Sequence, residues 1–182
     1  MINLTPNWKQ IKLNHPDVHI ALEYVASAIY QNQEDAILVS QEDELKLNSA
    51  LAFGSLTKIN NKVAFSEPNI KFEYLARYAA SLALEAWDDL YRFYEIFKEI
   101  YHHSFRLSYN YEICNIVLLI LNQEHQKDIT SCLTEELQEN QEVKGSGIFW
   151  IIVTPFCQVL PSLHFEPKLL AEKLEILLRC MA

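Results

Sequence analysis

Residues 72–103 read FEYLARYAASLALEAWDDLYRFYEIFKEIYHH, and the polar side chains in this stretch recur with the period of an α-helix. From Glu73 to His102 the polar stripe covers 29 residues in eight steps, about 3.6 residues per step. Nearly every other position is apolar, so other elements should surround this helix on most of its circumference. The pattern predicts a long central helix that starts at an N-cap on Ser66, can bend around Glu85 and ends near residue 103.

Further helices are predicted on both sides of this one. They cover Pro16 to about Gln31, a segment capped by Ser40, Leu107 to Asn122, Asp128 to Glu139, and Pro167 to Cys180. Residues 58–65 are either a loop or a very short hairpin that turns on two asparagines, and residues 148–160 fit a helix or a strand. Seven or eight helices with short connections predict an all-α bundle, with residues 1–182 forming a single domain.

Two short segments of the chain resemble each other at an offset of 50 residues. Residues 22–26 read LEYVA and residues 72–76 read FEYLA, whereas no third copy follows at the next offset. Stacked helical hairpins of the HEAT-like kind would produce such a match, and so would chance in a helical chain rich in leucine and alanine. A repeat architecture and an irregular bundle both stay open.

Composition narrows the class of protein and the compartment. The chain has 182 residues, half of them hydrophobic, which suits one packed domain and excludes disorder over most of its length. Three glycines are too few for a glycine-rich phosphate loop. The N-terminus lacks an apolar signal segment, and the longest apolar stretch, residues 148–160, is shorter than the roughly 20 residues that span a bilayer. Four cysteines without a Cys-x-x-Cys pair indicate reduced, mostly buried thiols, so we expect a cytoplasmic protein without a membrane partner.

One helical spacing is typical of metal ligands. Glu99 and His102 form the Glu-x-x-His pair of di-iron bundles, with Glu95 one turn earlier. That site requires a second pair and two more glutamates, and no other glutamate in the sequence precedes a histidine by three residues. A solvated helix face with an ion pair to Lys98 is therefore the favoured interpretation.

Other candidates for chemistry are weaker. His15 and His19 are four residues apart but straddle a helix start and lack the glutamate of a zinc-protease motif, so they suit a cap and a first turn. No Gly-x-Ser-x-Gly signature is present, and Cys114 and Cys157 lie in apolar stretches that would bury a thiol. The sequence accordingly predicts no catalytic residue, no metal site and no cofactor.

The acidic residues are concentrated in two segments. The net charge of −9 comes from residues 31–48, which carry −4, and residues 124–142, which carry −5, while the rest of the chain is neutral. Such a balance argues against a nucleic-acid partner and suits either plain solubility or attraction to a basic protein. The candidate partner-binding residues are Glu34, Asp35, Glu42, Asp43, Glu44, Glu135, Glu136, Glu139 and Glu142.

These observations give competing hypotheses of function. The first is a non-enzymatic module that binds a basic protein through its acidic surface, as an immunity or inhibitor protein neutralises a basic toxin. The second is an α-helical enzyme or small-ligand carrier with a polar pocket between helices, to which Glu99, His102 and His103 would contribute. A third is homo-oligomer formation through an apolar helix face.

Overall fold

A computed structural model describes residues 7–87, 92, 95–96, 99–100, 107–125 and 175. In this part of the chain five α-helices with defined ends accompany a small antiparallel sheet. The helices are α1 (Asn7–Asn14), α2 (Pro16–Asn32), α3 (Gln41–Phe53), α4 (Pro68–Glu85) and α5 (Leu107–Leu119), and the strands are β1 (Ile37–Leu38), β2 (Leu56–Ile59) and β3 (Lys62–Phe65). Within these residues no helix combines the length and the apolar composition that a membrane span requires.

The prediction of an all-α bundle of seven or eight helices is wrong, because the chain between α2 and α4 forms a three-stranded sheet in addition to α3. The strand order is β1-β3-β2, with Ile37 opposite Val63 on one side of β3 and Leu56 opposite Phe65 on the other. Each strand buries one side chain, Ile37, Leu56 or Val63, while Leu38, Thr57 and Lys62 beside them are exposed. The hairpin alternative for residues 58–65 is correct: Asn60 has a φ of 57°, a left-handed conformation that asparagine tolerates.

Helix α4 covers the first part of the predicted central helix, and it begins later and ends earlier than predicted. Helix α4 begins at Pro68, and its N-cap is Glu67 rather than Ser66. It ends at Glu85, where a bend was expected, and the chain leaves it through a tighter turn in which the Trp87 N–H donates to the Leu84 carbonyl. Further along, residues 92, 95–96 and 99–100 are helical again, and the predicted end near residue 103 lies outside the described residues.

The other predicted helices that fall within the described residues are confirmed. Helix α3 starts at the predicted cap, since the Ser40 Oγ accepts a hydrogen bond from the Asp43 N–H at 3.1 Å. Helix α5 is followed by a turn of π-helix, Ile120–Glu124, and together they supply a nearly continuous buried run. The helices predicted at residues 128–139 and 167–180, and the ambiguous segment 148–160, lie outside the described residues.

The core is built where α4 packs against α2 on one side and α5 on the other. Its fully buried side chains include Leu22 and Ile29 of α2, Leu75 of α4, and Ile113 and Leu118 of α5. The matching segments 22–26 and 72–76 therefore lie on two helices that contact each other. They do not form a HEAT-like hairpin, because β1, α3 and the β2–β3 hairpin separate the two helices along the chain.

Candidate functional site

A cleft of about 360 Å³ opens between α2 and α4. Its walls are formed by Glu23, Tyr24 and Ser27 of α2 and by Tyr74, Arg77, Tyr78 and Ser81 of α4. Ser27 is three and four residues from Tyr24 and Glu23, and Tyr74, Arg77, Tyr78 and Ser81 follow the same helical spacing, so each set lies on one side of its helix. The volume lies at the small end of the roughly 300–1,000 Å³ typical of ligand pockets. Three tyrosine rings and several hydroxyl groups therefore converge on one small cavity.

Arg77 is fixed at this cleft by contacts on three sides. Its Nη1 and Nη2 donate to the two carboxylate oxygens of Glu124, each at 3.1 Å, in a bidentate pair. The indole of Trp8 stacks on the guanidinium, with 3.4 Å between the ring centroid and the Arg77 Cζ. The Glu73 Oε1 lies 3.5 Å from Nη2. Because 15% of the Arg77 side chain is exposed, the guanidinium is held as a largely desolvated charge.

The Arg77 guanidinium thus forms ion pairs with two carboxylates, Glu73 and Glu124, whose pKa values shift in opposite directions. Burial raises the pKa of Glu73 by more than the neighbouring Arg77 lowers it. For Glu124, burial also favours a higher pKa, but the hydrogen bonds and charge of Arg77 outweigh it and the pKa is lowered. Among the described residues, the buried Glu73 Oε1 and Arg77 Nε have no hydrogen-bond partner. Arg77 is therefore matched to Glu124, and Glu73 is the less satisfied of the two acids.

The π-helical turn accounts for the position of Glu124. Its defining bond runs from the His125 N–H to the Ile120 carbonyl at 3.3 Å, five residues back. Relative to an α-helix, one extra residue in the turn shifts the following side chains by about 100° around the axis. Glu124 lies three residues after Leu121, the last buried residue of this run, and its carboxylate pairs with Arg77 on α4. Local backbone geometry at the end of α5 thereby completes the ion network.

A second polar group links the two walls of the cleft. His19 is buried, its Nδ1 lies 2.9 Å from the Tyr74 hydroxyl, and its Nε2 lies 3.2 Å from the Glu23 Oε1. Burial, more than any neighbouring charge, lowers the pKa of His19 from 6.5. Burial likewise raises the pKa of Tyr74. A neutral imidazole with its proton on Nε2 donates to Glu23 and accepts from Tyr74, which satisfies both contacts.

The acidic residues predicted to bind a partner are largely paired with lysines. Four ion pairs join Glu34 to Lys62, Asp35 to Lys71, Asp43 to Lys46, and Glu44 to Lys58. Glu42 is exposed. With these four lysines the five acids carry a net charge of −1 rather than the −4 of the linear segment. Glu135, Glu136, Glu139 and Glu142 lie outside the described residues.

The remaining predicted candidates have structural roles where they are described. Glu99 accepts a hydrogen bond from the Tyr30 hydroxyl at 3.2 Å, while His102 and His103 lie outside the described residues. His15 is the N-cap residue of α2 and its ring lies 4.7 Å from that of Phe53. The described residues contain no group of three or more histidine, cysteine or carboxylate side chains that could hold a metal ion.

Cys114 is the cysteine within the described residues, and it is a free, buried thiol, as predicted. Burial raises its pKa to about 12. Such a thiol is protonated at neutral pH and is a poor nucleophile. The other three cysteines lie outside the described residues.

Sequence reasoning missed most of the cleft. The stripe that contains Glu73, Arg77 and Ser81 was interpreted as a solvated face, but Glu73 is buried and Arg77 nearly so. One signal was available: the matching segments 22–26 and 72–76 each contribute to the cleft, with Glu23 and Tyr24 from the first and Tyr74 from the second. That match was considered only as evidence for a repeat.

Comparison of this chain with protein-family models, with curated proteins and with solved structures finds no match in any of the three.

Proposed function

We propose that this chain binds a small polar organic molecule in the cleft between α2 and α4. The observation that carries the proposal is that the cavity contains convergent polar groups and adjoins a buried ion network with perturbed pKa values. Burying the Arg77, Glu73 and His19 groups costs free energy that a purely apolar core would avoid. Polar groups retained at that cost beside a cavity are typical of binding sites.

Preorganised side chains on both walls support the proposal. The Tyr78 hydroxyl accepts a hydrogen bond from the Gln31 Nε2 at 2.8 Å, and its ring makes an edge contact with Tyr30 at 5.3 Å. Tyr74 is held by His19, and Arg77 by Glu124 and Trp8. A ligand that enters a wall already fixed in this way loses less binding free energy to ordering of side chains.

A ligand-observed NMR screen with the full chain tests this function. The probes are mixtures of metabolite-sized cations, anions and neutral polyols. Ser81→Trp places an indole in the cleft from an exposed position on α4, and Asn48→Trp adds the same side chain at an exposed position on α3 as the matched control. We expect compounds that bind the wild type and Asn48→Trp but lose binding to Ser81→Trp. Binding that survives Ser81→Trp, or a screen without binders, would contradict the proposal.

The binding of a basic protein, as by an immunity or inhibitor protein, is the second candidate function. The observation that favours it is exposure: about half of each side chain in the Glu34–Lys62 pair is accessible, so a partner's cations could replace the lysine. Weighing against it is the net charge of −1 once the four lysines are included. The small-molecule function is therefore better supported than the binding of a basic protein.

Charge reversal separates this second function from the first. The double variant Glu34→Lys/Glu42→Lys would be compared with Glu85→Lys, an exposed acid on α4 outside both acidic segments. Each variant would be used to capture basic proteins from the native host under matched salt. A basic partner that is retained by Glu85→Lys and lost by the double variant supports the acidic surface, and equal capture by both contradicts it.

A further inference from the structure

Among the described residues, two charged side chains line the cleft, Arg77 and Glu23, and Arg77 is already committed to other contacts. Both terminal nitrogens of Arg77 donate to Glu124, its ring-facing side is covered by Trp8, and its Nε is buried. Glu23 differs, because 61% of its side chain is exposed at the cleft. Its neighbour His19 has a pKa lowered by burial, so the imidazole is neutral at pH 7 and leaves the Glu23 charge uncompensated. Within the part of the chain that the structure describes, a ligand in the cleft therefore meets a carboxylate without a cationic partner and a guanidinium that is already paired.

The hydroxyl protons of the cleft are also largely committed. Ser27 donates to the Tyr24 carbonyl at 2.9 Å and Ser81 donates to the Tyr78 carbonyl at 2.7 Å. The Tyr24 hydroxyl lies near the Asp43 carboxylate, which can only accept, and contributes to the lowered pKa of Asp43. The Tyr74 hydroxyl donates to His19 when Nε2 carries the imidazole proton. The Tyr78 hydroxyl accepts from Gln31 and keeps its own proton for a ligand. The other hydroxyls offer a ligand only oxygen lone pairs, so the wall has more acceptors than donors.

The aromatic side chains of the walls also favour a cation. Tyr24 and Tyr78 contribute partly exposed rings, one from each helix, while Tyr74 also lines the cleft but is buried. The face of an aromatic ring carries the negative part of its quadrupole and attracts cations, with quaternary ammonium groups as the best-known ligands of such walls. The Glu23 carboxylate, the hydroxyl lone pairs and the electron-rich tyrosine rings thus all favour a positively charged ligand.

We propose that the cleft binds a compact organic cation, an ammonium or quaternary ammonium compound, with Glu23 as its counter-ion and the tyrosine rings as its aromatic wall. This inference rests on the proposed small-molecule function and specifies its ligand class. An anionic ligand is disfavoured because Arg77, the cation at the cleft wall, is already paired with Glu124. A neutral polyol would find acceptors but few of the donors that its own oxygens need.

The test uses choline and its uncharged isostere 3,3-dimethylbutan-1-ol, in which carbon replaces the cationic nitrogen. Binding of both to the full chain is measured by NMR titration at pH 7. We expect choline to bind at least tenfold more tightly than the alcohol. Glu23→Gln should weaken choline binding at least tenfold and leave the alcohol unaffected, whereas Glu34→Gln, an exposed acid outside the cleft, should change neither. Circular dichroism and urea midpoints establish that both variants are folded.

The outcomes distinguish the ligand class from the binding site. Equal binding of choline and the alcohol, no detectable choline binding, or choline binding that is indifferent to Glu23→Gln would overturn the cation inference. If the library then yields anions or polyols whose binding Ser81→Trp abolishes, the small-molecule function stands and its ligand class is wrong. If no compound of any class depends on the cleft, the proposed function fails and the cation inference fails with it.

Discussion

Replacing Arg77 by methionine should strongly destabilise the folded chain at neutral pH. Methionine keeps the length of the side chain and its packing on Trp8 but removes the charge that two carboxylates share. Removing one partner of a buried ion pair costs about 3–5 kcal/mol, because it leaves the other charge buried and uncompensated. Glu73 has a 9% exposed side chain, but Glu124 is 26% exposed and regains water. We therefore expect Arg77→Met to lower the free energy of unfolding by about 3 kcal/mol, the lower end of this range.

Urea unfolding followed by tryptophan fluorescence measures this loss, and a double-mutant cycle assigns it. If the cost comes from a stranded Glu73 charge, Glu73→Gln/Arg77→Met should be more stable than Arg77→Met alone by about 1 kcal/mol or more. Lys62→Met removes an exposed partner of Glu34 and should leave the midpoint unchanged. A loss below about 1 kcal/mol for Arg77→Met, or strictly additive effects of the two substitutions, would refute the reasoning.

Three further predictions concern single groups. Burial raises the pKa of Glu73 above its ordinary 4.5, so the Glu73 contribution to stability falls as the pH rises above that value. In urea unfolding, Glu73→Gln should therefore become more stable relative to the wild type between pH 4 and pH 7. A difference in stability that stays constant with pH would contradict this. Ser40→Ala should cost about 1 kcal/mol by thermal unfolding and Ser40→Gly only a few tenths, whereas equal losses would exclude a capping role. The Cys114 peptide should be alkylated by iodoacetamide at pH 8 only after denaturant is added, and labelling of the native chain would show that the thiol is accessible.

Helices α2 to α5 were predictable because local signals agree with burial, whereas α1 (Asn7–Asn14) was not predicted. Ser40 followed three residues later by an acid predicts the start of α3, and the apolar run from Ile116 to Leu121 predicts a buried helix at α5. The sheet was missed because β1 has two residues and β2 has four, too short for alternation to stand out. Leu56 continues the apolar helical spacing of α3, yet it belongs to β2, because Gly54, with a φ of 83°, closes α3 two residues earlier.

The candidate site was less predictable because its contacts are distant in sequence. Arg77 is 47 residues from Glu124, and His19 is 55 residues from Tyr74. The charge of the acidic segment 31–48 was also difficult to predict, since Lys62 and Lys71 pair with acids 28 and 36 residues away in the sequence. A linear sum of charges cannot include partners that only the fold brings together.

Backbone amide shifts of the isotope-labelled chain, recorded with the tightest binder from the NMR screen, test the central claim most directly. If the cleft is the binding site, the largest shifts should fall on cleft residues of both helices, Glu23, Ser27, Tyr78 and Ser81, and should disappear in Ser81→Trp. Shifts confined to the sheet or to α3, with the cleft residues unmoved, would contradict the claim.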